Sequence, residues 1–240
     1  MYVFDTIDST NTFAKTLTKE ESPHGTIVVA EEQTAGRGRL GRTWLAAKGE
    51  NILFTIVFRE LHALQNPALV PYAIALAVAD AIQSVTGVTV KCKWPNDLLI
   101  GDKKVCGMLL ESSVTPDRTT EKLIVGIGLN VNQRNFSDGV AAIATSLRQH
   151  SVKKINRVRL LQSILVEIEK RYTQLKTSSV SIIEEWKERT FIFGKKIVLI
   201  EQDSSAEVIA KDLAQDGALL IQTPDGQIRP VYAGDVSVGY

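Results

Sequence analysis

The hydrophobic pattern along this chain alternates between strand-like and helix-like periods, and each change predicts an element. Tyr2-Val3-Phe4 reads as a short strand, and Asp8-Ser9-Thr10-Asn11 reads as a helix start, with Phe13 and Leu17 following on one helical face. Thr26 to Ala30 is a short apolar strand, and Asn51 to Arg59 brackets Ile-Leu-Phe-Thr-Ile-Val-Phe, too apolar and too β-branched for a surface element. Residues 67 to 86 are apolar nearly all round, with Pro67 and Pro71 near the front, where a helix tolerates proline, and Gly87 at the end. They predict a buried helix. Val88 to Trp94 then predicts a strand, Pro95-Asn96-Asp97 a turn, and Leu98-Leu99-Ile100, Gly101-Asp102 and Val105 to Glu111 a β-hairpin. Lys122 to Asn132 reads as a further central strand, whose glycines imply close approach by backbone or ligand.

Beyond this the period is helical. Asn156 caps a run to about Thr177 in which Leu160, Leu161, Ile164, Leu165, Ile168 and Tyr172 share a face, and Val180 to Thr190 follows a Thr-Ser-Ser break. From Gly194 the period falls to two, with short strands expected at 196–201, 206–211, 218–223 and 227–232 and hairpin turns at Asp216-Gly217 and Asp225-Gly226. The pattern divides the chain into an α+β unit over residues 1–190 and a small β-barrel-like unit over 191–240.

Composition narrows the function. With 44% hydrophobic and 23% charged residues and a formal net charge of +1 over 240 residues, the chain lacks the basic excess of a dedicated nucleic-acid binder. Cys92 and Cys106 form no CxxC pair and sit among apolar residues, as in a reduced intracellular protein, and His24, His62 and His150 lack metal-ligand spacing. No signal segment opens the sequence, and the longest apolar stretch is interrupted by Asp80, so no membrane partner and a cytoplasmic location are expected.

The chemistry concentrates between Gln33 and Trp44. Residues 36 to 42, Gly-Arg-Gly-Arg-Leu-Gly-Arg, hold three glycines and three arginines with no acidic residue. Glycine lets backbone N–H groups approach a ligand, and the arginine fork matches carboxylate or phosphate, so this loop is suited to anions. It lacks the Gly-Lys-Ser/Thr ending of a phosphate-binding Walker loop, and a strand rather than a helix follows it. Trp44 offers a flat face to a purine or fills the core. Lys93-Trp94-Pro95-Asn96-Asp97 sets a cation beside an amide and a carboxylate that suit phosphate and Mg²⁺, although Pro-Asn-Asp is also ordinary turn chemistry. Lys103-Lys104 on the hairpin could neutralise charge on a transferring group if that hairpin lies against the arginine loop.

Taken in order, Ser9-Thr10-Asn11, the Gly36–Arg42 string with Trp44, Lys93 to Asp97, Lys104-Val105-Cys106-Gly107 and Gly126-Ile127-Gly128-Leu129-Asn130 resemble the catalytic unit of biotin protein ligases, also called biotin–(acetyl-CoA-carboxylase) ligases. The resemblance covers nearly the whole chain. It implies a class II synthetase-like mixed sheet with helices, followed by an SH3-like β-barrel, and a two-step reaction: biotin and ATP give biotinyl-5′-AMP, and biotin then passes to a lysine of a biotin carboxyl carrier domain. Carried over by position, it implies Lys104 and Arg39 as catalytic groups. Ser9, Thr10, Asn11, Gln33, Gly36, Arg37, Arg39, Lys104 and Gly107 would bind biotin. Arg37, Arg39, Arg42, Trp44, Lys93, Asn96, Lys104 and Asn130 would bind ATP or the adenylate, and Asp97 would serve Mg²⁺. Family members are often homodimers.

Some members carry an N-terminal helix-turn-helix unit; here the Ser-Thr-Asn string begins at residue 9, so DNA-binding repression is not expected. Lipoate ligase shares the architecture and adenylate chemistry but uses a different arginine/glycine loop. The alternative from another class is a non-catalytic nucleic-acid or partner-binding module, against which the near-neutral charge counts.

Overall fold

The structure is a computed structural model that describes residues 1–114, 120–201 and 204–238. Its larger sheet has seven strands in the order β1-β2-β3-β7-β6-β5-β4: β1 (Tyr2–Phe4), β2 (Thr26–Ala30), β3 (Ile52–Phe58), β4 (Lys91–Lys93), β5 (Asp97–Ile100), β6 (Lys103–Val114) and β7 (Thr120–Leu129). Only the β1–β2 pair is parallel.

Alternation along the central strands explains both faces of this sheet. On β3, Ile52, Phe54, Ile56 and Phe58 join the main core, whereas Val57 joins a second cluster with Ala14, Leu17, Val28 and Ile124 under helix α1 (Thr10–Thr16). The main-core face is covered by α2 (Val70–Thr86), α4 (Arg157–Thr177) and α5 (Ser179–Arg189), while the short α3 (Asp138–Ala141) accepts Lys103 of β6 through Ala141 O. The predicted caps hold: Asn156 accepts from Arg159 N, and Gly87 closes α2 with φ +74°, a left-handed turn that glycine adopts without strain. Leu160, Ile164, Ile168 and Tyr172 of α4 are buried as the helical spacing predicts, each contributing about 1.5–3 kcal/mol of apolar burial. Asp80, which interrupts the apolar pattern of α2, receives Arg171 and Arg189 at 2.6 Å each, so the charge is paired where it enters the helix interface. Pro67–Thr86 is long and apolar enough to cross a membrane by length and composition, and it is the core helix of this fold, 67% buried over its most apolar window.

Beyond shifts of two or three residues at strand ends, such as β7 at Thr120–Leu129 where 122–132 is expected, two features differ from the sequence pattern. The expected strand Val88–Trp94 shrinks to Lys91–Lys93, because Thr86 Oγ1 accepts from Val88 N and Thr89 bonds to Gln83, committing those residues to the end of α2. The second sheet contains one strand more than the four expected: β8 (Lys196–Glu201), β9 (Ser204–Leu213), β10 (Leu219–Gln222), β11 (Ile228–Val231) and β12 (Asp235–Val238), antiparallel in the order β11-β10-β9-β8-β12. The overlooked β12 is short and polar in alternate positions, with no run long enough to show a period.

One half-buried imidazole ties this packing to pH. His24 Nδ1 accepts from the backbone N–H groups of Arg59 (3.2 Å) and Glu60 (3.3 Å), so its proton sits on Nε2 and a second proton has no place without breaking both bonds. Burial holds its pKa below the ordinary value of about 6.5. The unfolded chain therefore binds more protons between the depressed folded pKa and about 6.5, and stability should rise with pH through that window and be complete above it. Thermal melts from pH 5 to 7.5 should show this slope, and His24→Leu should flatten it; an unaltered slope in the variant would assign the effect elsewhere.

Candidate active site

The sheet face opposite the helix core is floored by residues with little or no side chain. Gly107 on β6 pairs with Gly128 on β7, Gly126 lies two residues along, and Thr55 pairs with Gly126 across β3. A methyl group on Gly128 would lie 2.4 Å from Trp44 Cε2, one on Gly107 2.9 Å from Trp44 Cζ3, and one on Gly126 2.3 Å from Asn11 Oδ1. The close approach expected of these glycines is therefore made by Asn11 and the Trp44 ring.

Helix α1 brings its N-terminus to this floor. Ser9 caps it, accepting from Thr12 N at 3.4 Å. Thr10 N and Oγ1 both donate to Gln33 Oε1, at 2.8 and 2.9 Å. Asn11 donates through Nδ2 to Leu109 O (3.2 Å) and Glu111 Oε2 (2.9 Å), and its Oδ1 accepts from Thr55 at 2.6 Å. Asn11 thus has both amide protons committed inside the protein, which makes it a fixed wall of the site rather than a free donor.

The arginine loop closes on itself as a small hairpin. Trp44 N donates to Gly36 O (2.9 Å), Gly38 N to Arg42 O (2.7 Å), and Leu40 takes a positive φ of 53° at the tip. Arg37 Nη2 lies 3.0 Å from Glu111 Oε2, while Arg39 and Arg42 converge on the two oxygens of Asp235 at 3.0 and 2.8 Å. Asp235 belongs to β12, so the C-terminal sheet supplies a wall of the cavity. Burial pushes the Glu111 carboxyl upward, but its bonds with Lys15 and Asn11 and the charge of Arg37 outweigh that and hold it low, so it stays ionised.

Lys104 completes the cationic side. Its Nζ sits 2.6 Å from Asp97 Oδ1, an ion contact outside hydrogen-bond angles, and 5.5 Å from the Trp44 ring centre. The hairpin thus lies against the arginine loop. Lys93 Nζ is 4.0 Å from Asp97, and burial pushes the Lys93 pKa down, with Asp97 opposing and Lys104 and Arg42 adding to the fall. Lys103 points away and donates to Ala141 O. Asn96 donates to Met108 O and its Oδ1 is 3.5 Å from Arg39. Asn130 Oδ1 and Trp44 Nε1 are buried polar atoms with no partner among the described residues.

These groups enclose one cavity of about 510 Å³. Every site residue named from the sequence lines it except Gly36, whose place is to pair the loop's ends, and Lys103, which is turned to Ala141 O. Pattern reading did not find Asp235 or the apolar wall of Phe136, Val140 and Ile143 in the lining, nor Thr55 and Glu111, which hold the lining residues Asn11 and Arg37. An acidic residue ending the apolar β6 run was a signal for Glu111; the others carry none in the sequence. Among the described residues no cluster of three or more His, Cys, Asp or Glu forms a protein-built metal cage.

Residues 3–130 match the model of the biotin/lipoate A/B protein ligase family, and residues 192–239 match that of the biotin protein ligase C-terminal domain. The chain belongs to the biotin/lipoate A/B protein ligase family. Within that family it is 36% identical over 238 residues to the bifunctional ligase/repressor BirA of Bacillus spizizenii, covering 98% of this chain and 73% of that protein. It is 31% identical to the biotin–(acetyl-CoA-carboxylase) ligase of Mycobacterium tuberculosis, over 88% of this chain and 78% of the relative. Among solved structures, the biotin protein ligase of Aquifex aeolicus in complex with biotin and ATP superposes with a TM-score of 0.86 at 29% identity, covering 99% and 97% of the two chains. The mixed sheet with helices and the C-terminal antiparallel sheet are thus those of this ligase family.

Proposed function

We propose that this family member is an ATP-dependent biotin–protein ligase, forming biotinyl-5′-AMP and transferring biotin to a lysine of a biotin carboxyl carrier domain. The observation that carries the reading is the convergence of Arg39, Arg42, Lys93 and Lys104 around Asp235 and Asp97 in a cavity that is also lined by the neutral, hydrogen-bonding set Ser9, Thr10 and Gln33, with Arg37 held near that set by Glu111. A neutral bicyclic urea with an anionic tail, joined to a nucleoside phosphate, needs that polarity. Relatives named as biotin–(acetyl-CoA-carboxylase) ligases and a solved relative holding biotin and ATP support it.

In the first step a biotin carboxylate oxygen attacks the α-phosphorus and the bond to pyrophosphate breaks. Two anions must meet, and fixed cations that need no reorganisation lower that barrier most. Lys104 and Arg39 serve this role, Arg37 and Arg42 hold phosphate oxygens, and Lys93, Asn96 and Asn130 hold the nucleotide. The exposed edge of Trp44 and the apolar Phe136–Val140–Ile143 wall accept the adenine. Asp97 is the one chain residue we assign to Mg²⁺; with no protein cage, such an ion would take most of its oxygens from nucleotide and water and would spread the phosphate charge. In the second step the carrier lysine, having lost its proton, attacks the acyl carbon and AMP leaves. The cavity walls keep water from that anhydride.

The reading places the catalytic unit at residues 1–190 and the β unit at 191–240. It includes a cytoplasmic location, supported by two buried free thiols whose pKa values burial pushes up to about 12. It also includes a homodimer through a sheet edge, where β1 carries the exposed Val3. ATP–pyrophosphate exchange with Mg²⁺, run with biotin, lipoate or no acid, tests the function. Biotin-dependent exchange is expected. Exchange with lipoate alone, or with neither acid, would overturn the assignment.

A further inference from the structure

The C-terminal sheet reaches the catalytic turn by a second, fully buried route. The Trp94 indole, inside the Lys93–Asp97 string, donates from Nε1 to Tyr72 Oη at 3.0 Å, and Tyr72 donates its own proton to Gly217 O in the β9–β10 turn. Trp94 and Tyr72 are 1% and 5% exposed, so among the described residues these bonds are what replaces water for the indole N–H and the phenol. Burial raises the Tyr72 phenol above its ordinary value, so the hydroxyl keeps the proton it donates. The receiving turn is built to its partner. Gly217 has φ +88°, and a methyl group there would lie 2.8 Å from Tyr72 Cε2, so only glycine brings its carbonyl this close. The turn is closed by Gly217 N to Ala214 O (2.9 Å) and braced by Tyr232 bonding Asp216.

On the other side, Trp94 is followed by the residues that meet the cations of the site: Asn96 faces Arg39, and Asp97 pairs with Lys104. We infer that Tyr72 is a positioning residue for adenylate formation, and that the β unit takes part in the reaction by supplying, through Gly217 O, the acceptor that fixes Tyr72 and hence Trp94. The relay holds the Lys93–Asp97 turn at the depth where Asp97 aligns the Lys104 ammonium. This rests on the adenylation reading given above and assigns a role in it to a helix residue outside every ligand-facing string. Deleting the hydroxyl leaves two buried polar groups, the indole N–H and the Gly217 carbonyl, without partners, while leaving the ring and all ligand contacts in place.

Tyr72→Phe in the full chain tests this. Biotin-dependent pyrophosphate exchange should lose roughly tenfold in kcat, with KM for biotin and ATP held within about twofold, because transition-state alignment is lost and ground-state binding is not. In ¹⁵N-labelled protein the Trp94 indole N–H should lose its protection from hydrogen exchange. Gly217→Ala, which keeps the hydroxyl and pushes Tyr72 instead, should lower kcat in the same way, and it decides the matter if Tyr72→Phe fails to fold. A kcat within about twofold of the parent in the folded variants, or an equal rise in KM, would overturn the positioning role. If the parent itself shows no biotin-dependent exchange, the functional reading fails separately, and indole protection unchanged by Tyr72→Phe would then refute the relay by itself.

Discussion

Lys104→Ala should reduce biotin-dependent pyrophosphate exchange by roughly 100- to 1000-fold, the size of effect that follows removal of a fixed charge from a developing anion. The backbone of this residue is held independently of its side chain: Lys104 N donates to Ile143 O at 2.8 Å and Thr145 N to Lys104 O at 2.9 Å. The side chain is 35% exposed, so thermal stability should shift by no more than about 1 kcal/mol. The two effects are therefore separable in one preparation. Lys104→Arg should recover only part of the rate, because a planar fork cannot occupy the slot between Asp97 and the Trp44 face as a compact ammonium does. Steady-state exchange alongside a melting curve checks this, and a rate within about threefold of the parent would remove Lys104 from the chemistry.

Gly126→Ala should be the most damaging single methyl group in the site. It would enter 2.3 Å from Asn11 Oδ1, and Asn11 can move aside only by giving up bonds to Leu109, Glu111 or Thr55. Overpacking of this kind costs about 1–3 kcal/mol. The shift of Asn11 would also displace Thr10 and Gln33, so KM for biotin should rise by more than tenfold, roughly the equivalent of 1.4 kcal/mol. Asn11→Ala in the same chain removes the clash and should restore part of the stability. Titration of exchange against biotin concentration, with the double variant beside the single one, gives the answer; a KM for biotin equal to the parent's would show that the floor is more yielding than its packing implies.

What the sequence made legible follows the distance over which residues act. The Gly36–Arg42 string, Lys93–Asp97 and Gly126–Asn130 each put several candidate groups within a few residues, and the structure brings members of all three strings to one cavity. The cap at Asn156, the αL turn at Gly87 and the hairpin turns at Gly217 and Gly226 were legible for the same reason, since each is local chemistry. The missing members act across the chain. Glu111 meets Arg37 from 74 positions away, Asp235 meets Arg39 from 196, and Thr55 meets Asn11 from 44. No periodicity or spacing rule connects such pairs: the order β3-β7-β6 brings Thr55 and Glu111 together at Asn11, and Asp235 arrives from β12 of the other sheet. The strand at 88–94 was overextended because β-branched Val88, Thr89 and Val90 fit a strand, while the side chains of Thr86 and Gln83 had a stronger local use for them.

The three loop arginines already rest on carboxylates, Arg37 on Glu111 and both Arg39 and Arg42 on Asp235. A phosphate arriving there exchanges one set of counter-ions for another and does not meet bare charge. Nucleotide affinity then measures a difference between two anions of similar strength, and added salt weakens the resident pair and the incoming one together. Under the proposed function, the loop would act as an ion exchanger preloaded with its own protein, favouring an anion that offers more oxygens than Asp235 and Glu111 do.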